Sequence, residues 1–177
     1  MAISFGLTND ICVPDVARDS IDVAACYSVD RHSSYKGTPM KKRVLFLSTA
    51  NSVRSQMAEG LLRSIAGEKY EIFSAGTHPS DIHPLTLDTM RKVGIDISGQ
   101  TSKNVSVFNG ERFDDVITVC DRAKLNCPDF PGSAPVHWGF DDPAEVSGSR
   151  EEQLKKFEQV REEIMARLRL FVLADHH

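Results

Sequence analysis

The sequence lacks a surplus of either charge, any long apolar run and any dense set of thiols. With Lys+Arg at 21 and Asp+Glu at 25, the formal net charge is -4 and the pI is near 5.8. That balance offers no basic surface to nucleic acid or to an anionic membrane, so neither is expected as a partner. The apolar stretches fall well short of the roughly 20 residues that span a bilayer. The opening "MAISFGLTNDICVPD" has no basic segment followed by an apolar core, so no secretion signal is read. A cytoplasmic protein is expected. Cysteine is sparse, at Cys12, Cys26, Cys120 and Cys127, and in a reducing compartment such thiols are free, metal-bound or catalytic rather than structural disulfides. Cys12 and Cys26 have no cysteine or histidine neighbours at zinc-ligand spacing, and no metal site is expected. What remains is globular: 41% hydrophobic and 26% charged residues in a length of 177, which suits one ordinary domain.

Residues 1–39 are polar, carry no sustained period and end in the linker-like "RHSSYKGTP". They read as an N-terminal extension, with the domain spanning 40–177 and Met40 as an alternative start. From residue 43 strands and helices alternate. "RVLFLS" is a buried parallel-type strand, "SQMAEGLLRSIAG" a helix ending near Gly67, and "YEIFSAG" a second strand. "HPLTLDTMRKVG" predicts a helix from Pro84 to Gly94, "FDDVITVC" a third strand and "SAPVHWGF" a fourth. "SREEQLKKFEQVREEIMARLRLF" predicts an amphipathic helix with Leu154, Phe157, Val160, Ile164 and Leu168 on one stripe, and Glu151/Lys155 and Glu163/Arg167 as solvent-side pairs. The alternation implies an α/β fold of three layers, a four-stranded parallel sheet with helices on both faces, whose ligand site lies beyond the carboxyl ends of the strands.

The loop after the first strand occupies that place. Ser48-Thr49-Ala50-Asn51-Ser52-Val53-Arg54-Ser55 uses small side chains where a backbone must curl around a ligand, and it runs straight into a helix N-terminus. Successive N–H groups and the helix dipole favour an anion, and Arg54 offers a planar, permanently charged fork to two of its oxygens. A tetrahedral oxyanion of phosphate size is the expected ligand; an ordinary strand-to-helix turn with a surface arginine is the plain alternative. The same field would lower the pKa of a cysteine at position 48, with Ser55 able to donate a hydrogen bond to it. Position 48 holds a serine.

The loop with "RSQMAEGLLR", together with "SAGTHP", "IDISGQTS" and "HWGFDDPA", resembles the thioredoxin-coupled arsenate reductases of the low-molecular-weight protein tyrosine phosphatase fold, over about residues 42 to 171. The family pattern is Cys, five residues, then Arg-Ser, so Ser48 stands where the nucleophilic cysteine belongs. A serine hydroxyl keeps its proton at neutral pH, and no histidine in the loop is placed to remove it. The resemblance therefore implies a chain that binds oxyanion without turning it over.

Cys120 and Cys127, in "VITVCDRAKLNCPDF", lack zinc spacing and taken alone read as two buried thiols. The resemblance implies a relay instead. The residue-48 thiol attacks arsenate, Cys120 releases arsenite, and Cys127 resolves the disulfide, which passes to thioredoxin. No tightly bound cofactor is implied. Were the whole segment helical, its two Cα atoms would stand about 10 Å apart, against roughly 4.4–6.8 Å for a disulfide, so residues 120 to 130 are expected to rearrange on oxidation. Asp142, before Pro143, matches the general acid that protonates the leaving oxygen; without the resemblance, Asp141-Asp142-Pro143 is simply a turn. His137, Trp138 and Phe140 read as packing. Potassium-binding members use residues matching Asn51, Glu59, Ser74 and Thr101 plus a carboxylate, where this chain has Lys103. Its ammonium is expected to replace the cation and pair with Glu59, making bound potassium doubtful, with a surface lysine as the alternative. A phosphatase of the same fold needs only the loop and Asp142, and a non-catalytic oxyanion-binding or sensing protein would accommodate Ser48 as it is. Phosphate and sulfate serve as arsenate analogues in either case.

Overall fold

The computed structural model describes residues 40–175; the expected extension over residues 1–39, with Cys12 and Cys26, lies outside the described residues. In order come β1 (Lys42–Ser48), α1 (Arg54–Ala66), β2 (Tyr70–Gly76), α2 (Pro84–Arg91), β3 (Asp115–Thr118), α3 (Asp121–Leu125), β4 (Val136–His137) and α4 (Arg150–Ala174), with 3-10 turns at Val105–Phe108 and Pro143–Glu145. The four strands pair in parallel in the order β2-β1-β3-β4. β1 is thus central, and the chain leaves it toward β2 on one side and later returns as β3 on the other. That divergence opens a crevice at the carboxyl end of β1, where Ser48 stands.

β1 is apolar from Val44 to Leu47, where both its faces are covered. Val44 and Phe46 pack into a core shared with α1, α2 and α4, while Leu45 and Leu47 face a second core containing Phe108, Phe113 and Phe130. The three longer helices all contribute to the first core. The second layer is thinner, built from the Val105–Phe108 turn and loops around Phe73, Phe108, Phe113 and Phe130, whose rings meet edge-on at 5.4–5.7 Å. On the α4 stripe Phe157, Val160, Ile164 and Leu168 are buried, each such side chain contributing about 1.5–3 kcal/mol, and Leu154 is partly buried against them. Ser149 and Glu152 form a reciprocal capping box that sets where α4 begins.

Several boundaries differ from the sequence reading. α2 stops at Arg91, and Gly94, at φ +76, closes the turn that follows. β3 is confined to the four residues that pair with residues 44–47 of β1, and the edge strand β4 to the two that meet Ile117 and Thr118. Neither expected solvent-side pair on α4 forms. The ion pairs of α4 reach mainly to other elements, through Arg150–Asp88, Lys156–Asp141 and Lys92–Glu158. Glu163 accepts from Gln159, and Arg167 lies over the Trp138 ring at 5.4 Å. An exposed i,i+4 pair is worth only a few tenths of a kcal/mol, roughly 0.2–0.5, so an aromatic face competes for the same guanidinium.

Candidate functional site

The loop between β1 and α1 is held from outside by its carbonyl oxygens. The Ser48 carbonyl accepts from Thr77 N, that of Thr49 from His78 N, that of Ala50 from Ser80 N and that of Ser52 from His83 N. The Asn51 carbonyl accepts from Gln56 Nε2 at 2.9 Å. With all these carbonyls turned outward, the following N–H groups turn inward, since the two point oppositely across a trans peptide. The N–H groups of Ala50, Ser52, Val53, Arg54 and Ser55 have no acceptor among the described residues. Asn51 makes the curl possible. It is fully buried, sits at φ +47, a region Asn tolerates better than most residues, and is the one non-glycine residue there among those described. Gly76 lets the backbone close in: a Cβ on it would lie 2.7 Å from Thr49 O and 2.9 Å from Asn51 N.

Two donors converge on residue 48. Asn51 N–H donates to Ser48 Oγ at 2.9 Å, and Ser55 Oγ lies 2.8 Å from it. Ser55 Oγ already accepts from Asn51 Nδ2 at 2.9 Å, which leaves its own proton free for Ser48. A group receiving both an N–H and an O–H is placed as an anion would be. The Asn51 side chain also donates to Ser74 Oγ at 2.8 Å, and its Oδ1 accepts from Lys103 N at 2.8 Å. Ser74 Oγ then donates to Glu59 Oε2 at 2.5 Å.

The expected partner of Glu59 is corrected here. Its second oxygen accepts from Arg63 Nη2 at 2.6 Å, one helical turn along α1, whereas Lys103 Nζ is exposed and donates to Thr101 O at 2.9 Å. The i,i+4 spacing puts Arg63 beside Glu59 at little cost in side-chain freedom. Lys103 contributes through its backbone.

A cavity of about 710 Å³ opens over the loop and is lined by Ser48, Thr49, Arg54, Cys120, Asp142 and neighbours. Arg54 crosses its mouth, donating from Nη1 to Phe140 O at 2.9 Å and from Nη2 to Asp142 Oδ2 at 2.5 Å. The other Asp142 oxygen accepts from Ala144 N and so caps the Pro143–Glu145 turn. Asp141 is paired with Lys156 instead, which separates the two carboxylates and leaves Asp142 as the one joined to the loop's arginine. Cys120 is buried, with Sγ 3.4 Å from Thr49 Oγ1. Cys127 is half-buried beside the Phe108/Phe113/Phe130 core and does not line the cavity. Both are free thiols. Burial, and secondarily the charge of Asp129, pushes the Cys127 thiol above its ordinary value. Only Asp121–Leu125 of the intervening segment is helical, so the separation for an unbroken helix does not apply to all of it.

The structure thus gathers Ser48, Thr49, Ala50, Ser52, Val53, Arg54, Cys120 and Asp142 around one space, with Asn51 and Ser55 buried beneath them and Glu59, Ser74, Thr101 and Lys103 behind the loop. Sequence reasoning missed Gln56 and Gln100. Gln56 is fully buried, donates also to Thr101 O at 3.2 Å, and accepts from Gln100 Nε2 at 2.6 Å. His137 bonds Thr118 and Asp121 rather than the loop, and Trp138 belongs to the main core. No cluster of His, Cys, Asp or Glu suited to a metal occurs among the described residues. No helix among them is long and apolar enough to cross a membrane.

The chain belongs to the low molecular weight phosphotyrosine protein phosphatase family, whose profile it matches over residues 43–175. Within that family its similarity is to arsenate reductases. That of Oceanobacillus iheyensis is 42% identical over 132 residues, 74% of this chain and 95% of the relative. The arsenate reductase of Bacillus subtilis (strain 168) is 42% identical over 131 residues, 73% and 94% of the two chains. Among solved structures, an arsenate reductase in the phosphate binding state superposes with a TM-score of 0.62 at 31% identity, covering 75% of this chain and 98% of that one. The Corynebacterium glutamicum thioredoxin-dependent arsenate reductase gives 0.53 at 29% identity, covering 75% and 64%.

Proposed function

We propose that this chain carries the machinery of a thioredoxin-coupled arsenate reductase and is silent as written because residue 48 is serine. The observation that carries the reading is the pair of donors converging on Ser48 Oγ, with Cys120 in the wall of the same cavity. With cysteine at position 48, its thiolate attacks arsenic(V) held by the inward N–H groups and Arg54, and an As–O bond breaks. Asp142 gives the departing oxygen a proton. Cys120 thiolate then attacks the sulfur of residue 48, an S–S bond forms, and the S–As pair of electrons stays on arsenic, which leaves as arsenite. Cys127 attacks Cys120 and frees residue 48, and the dithiol of thioredoxin reduces the Cys120–Cys127 disulfide. Serine fails at both ends of this sequence. Its hydroxyl stays protonated, and a thiolate cannot draw an electron pair onto arsenic by attacking oxygen as it does by attacking sulfur.

Ser48 itself favours a second reading, an oxyanion-binding or sensing protein that never turns over. A single-turnover experiment separates the two. Reduced Ser48→Cys protein given arsenate should release one arsenite per chain and yield a Cys120–Cys127 disulfide on peptide mapping. Binding of arsenate by both proteins, with neither arsenite nor disulfide from the Ser48→Cys form, would overturn the reductase reading in favour of the second.

A further inference from the structure

Four of the loop's outward carbonyls, those of Ser48, Thr49, Ala50 and Ser52, are held by backbone N–H groups of the segment from Thr77 to His83. The Asn51 carbonyl is the exception, held by the side chain of Gln56. It is also the carbonyl that follows the positive φ, where the peptide plane has turned over. The N–H in that same plane belongs to Ser52, which lines the cavity. Fixing the Asn51 oxygen outward fixes the Ser52 hydrogen inward.

We infer that Gln56 is a positioning residue for oxyanion binding: it holds the Asn51–Ser52 peptide so that the Ser52 N–H faces the ligand. The amide has no freedom to do otherwise. Two carbonyl oxygens, Asn51 O and Thr101 O, face its nitrogen, and Gln100 Nε2 donates to its oxygen and to the Gln56 carbonyl. A flipped amide would set oxygen against two oxygens and nitrogen against a donor, so the network admits one orientation. Gln100 therefore acts one step further back, and the 100–103 segment is tied to the loop through Gln56, through Ser102 Oγ on Ala50 O and through Lys103 N on Asn51 Oδ1. The inference rests on reading the loop as an oxyanion cradle and is independent of turnover.

Sulfate is the probe, because it keeps its charge across the pH range where arsenate and phosphate titrate. In ¹⁵N-labelled full-length protein, sulfate should shift the Ser52, Val53 and Arg54 amides. In Gln56→Met the affinity should fall about tenfold, the loss of one hydrogen bond to a charged group, and the Ser52 amide should stop responding while Val53 and Arg54 still do. Gln56→Glu supplies a donor only when protonated, so its affinity should recover as pH falls, beyond any change in the parent. Gln100→Ala, a partly exposed site that tolerates truncation, should lose about threefold. A folded Gln56→Met that binds within twofold of the parent and keeps the Ser52 response overturns the inference. If Gln56→Met does not fold, full affinity in Gln100→Ala with no pH-dependent recovery in Gln56→Glu does the same. No sulfate response in the parent would overturn the cradle reading, and the inference with it.

Discussion

The loop from Ser48 to Ser55 and the segment from Cys120 to Ser133, which enters the same cavity through Cys120, Asp121 and Arg122, are built on opposite plans. In the first, Asn51 alone satisfies its backbone and side chain through Ser48, Ser55, Ser74, Lys103 and Gln56, and every one of these bonds but that to Lys103 is buried. In the second, a helix of five residues is followed by irregular chain, Leu125 is 83% exposed, and one of the two thiols lies away from the cavity. A cradle that must present N–H groups to an anion gains from having no alternative conformation. In the proposed relay, a thiol passing from one partner to another needs few bonds to break.

Removing a member of the relay tests that contrast with the largest effect. In the Ser48→Cys protein, Cys120→Ser should abolish turnover by at least about a thousandfold while leaving sulfate affinity unchanged; comparable losses in both would show that Cys120 belongs to the cradle. Asp142→Asn in the same background should lower kcat by roughly a hundredfold, read in the coupled assay, with sulfate binding retained because the loop's N–H groups are untouched. On the rigid side, Gly76→Ala would press a methyl group onto Thr49 O and Asn51 N and should cost about 2 kcal/mol in urea unfolding.

The raised Cys127 thiol sharpens the second side of the comparison. Its burial favours the neutral thiol, so at neutral pH the attacking thiolate is scarcer than for a free cysteine. Formation of the Cys120–Cys127 disulfide after one turnover should therefore keep accelerating as pH rises past the ordinary thiol range, and an early plateau would contradict it. The smallest effect belongs to Lys103, whose ammonium, among the described residues, donates to Thr101 O: Lys103→Ala should change stability by less than about 0.5 kcal/mol.

Much of this was legible in the chain because its signals are local. "RVLFLS" carries a continuous apolar run and "YEIFSAG" is a short strand with Glu71 exposed, and the structure places them with little change at Lys42–Ser48 and Tyr70–Gly76. Of Ser48, Arg54, Cys120, Cys127 and Asp142, the set the sequence singles out, all but Cys127 line one cavity. One miss came from contacts between distant segments, the other from a neighbour on the same helix. Gln56 looks like an ordinary polar residue in the first turn of a helix, and only the approach of Thr101 and Gln100 buries it. The cation site of relatives points to Lys103 as the partner of Glu59, whereas Arg63 stands four residues along the same helix. The hint was in the sequence and the spacing rule would have found it.

The most direct test of the account is arsenate-dependent NADPH consumption with thioredoxin and its reductase, run in parallel on the chain as it stands and on Ser48→Cys. Turnover confined to the cysteine form is the predicted result, and it would assign the silence to one oxygen atom in an otherwise complete relay. Turnover by the Ser48 chain, or none from either while both bind sulfate, would contradict it.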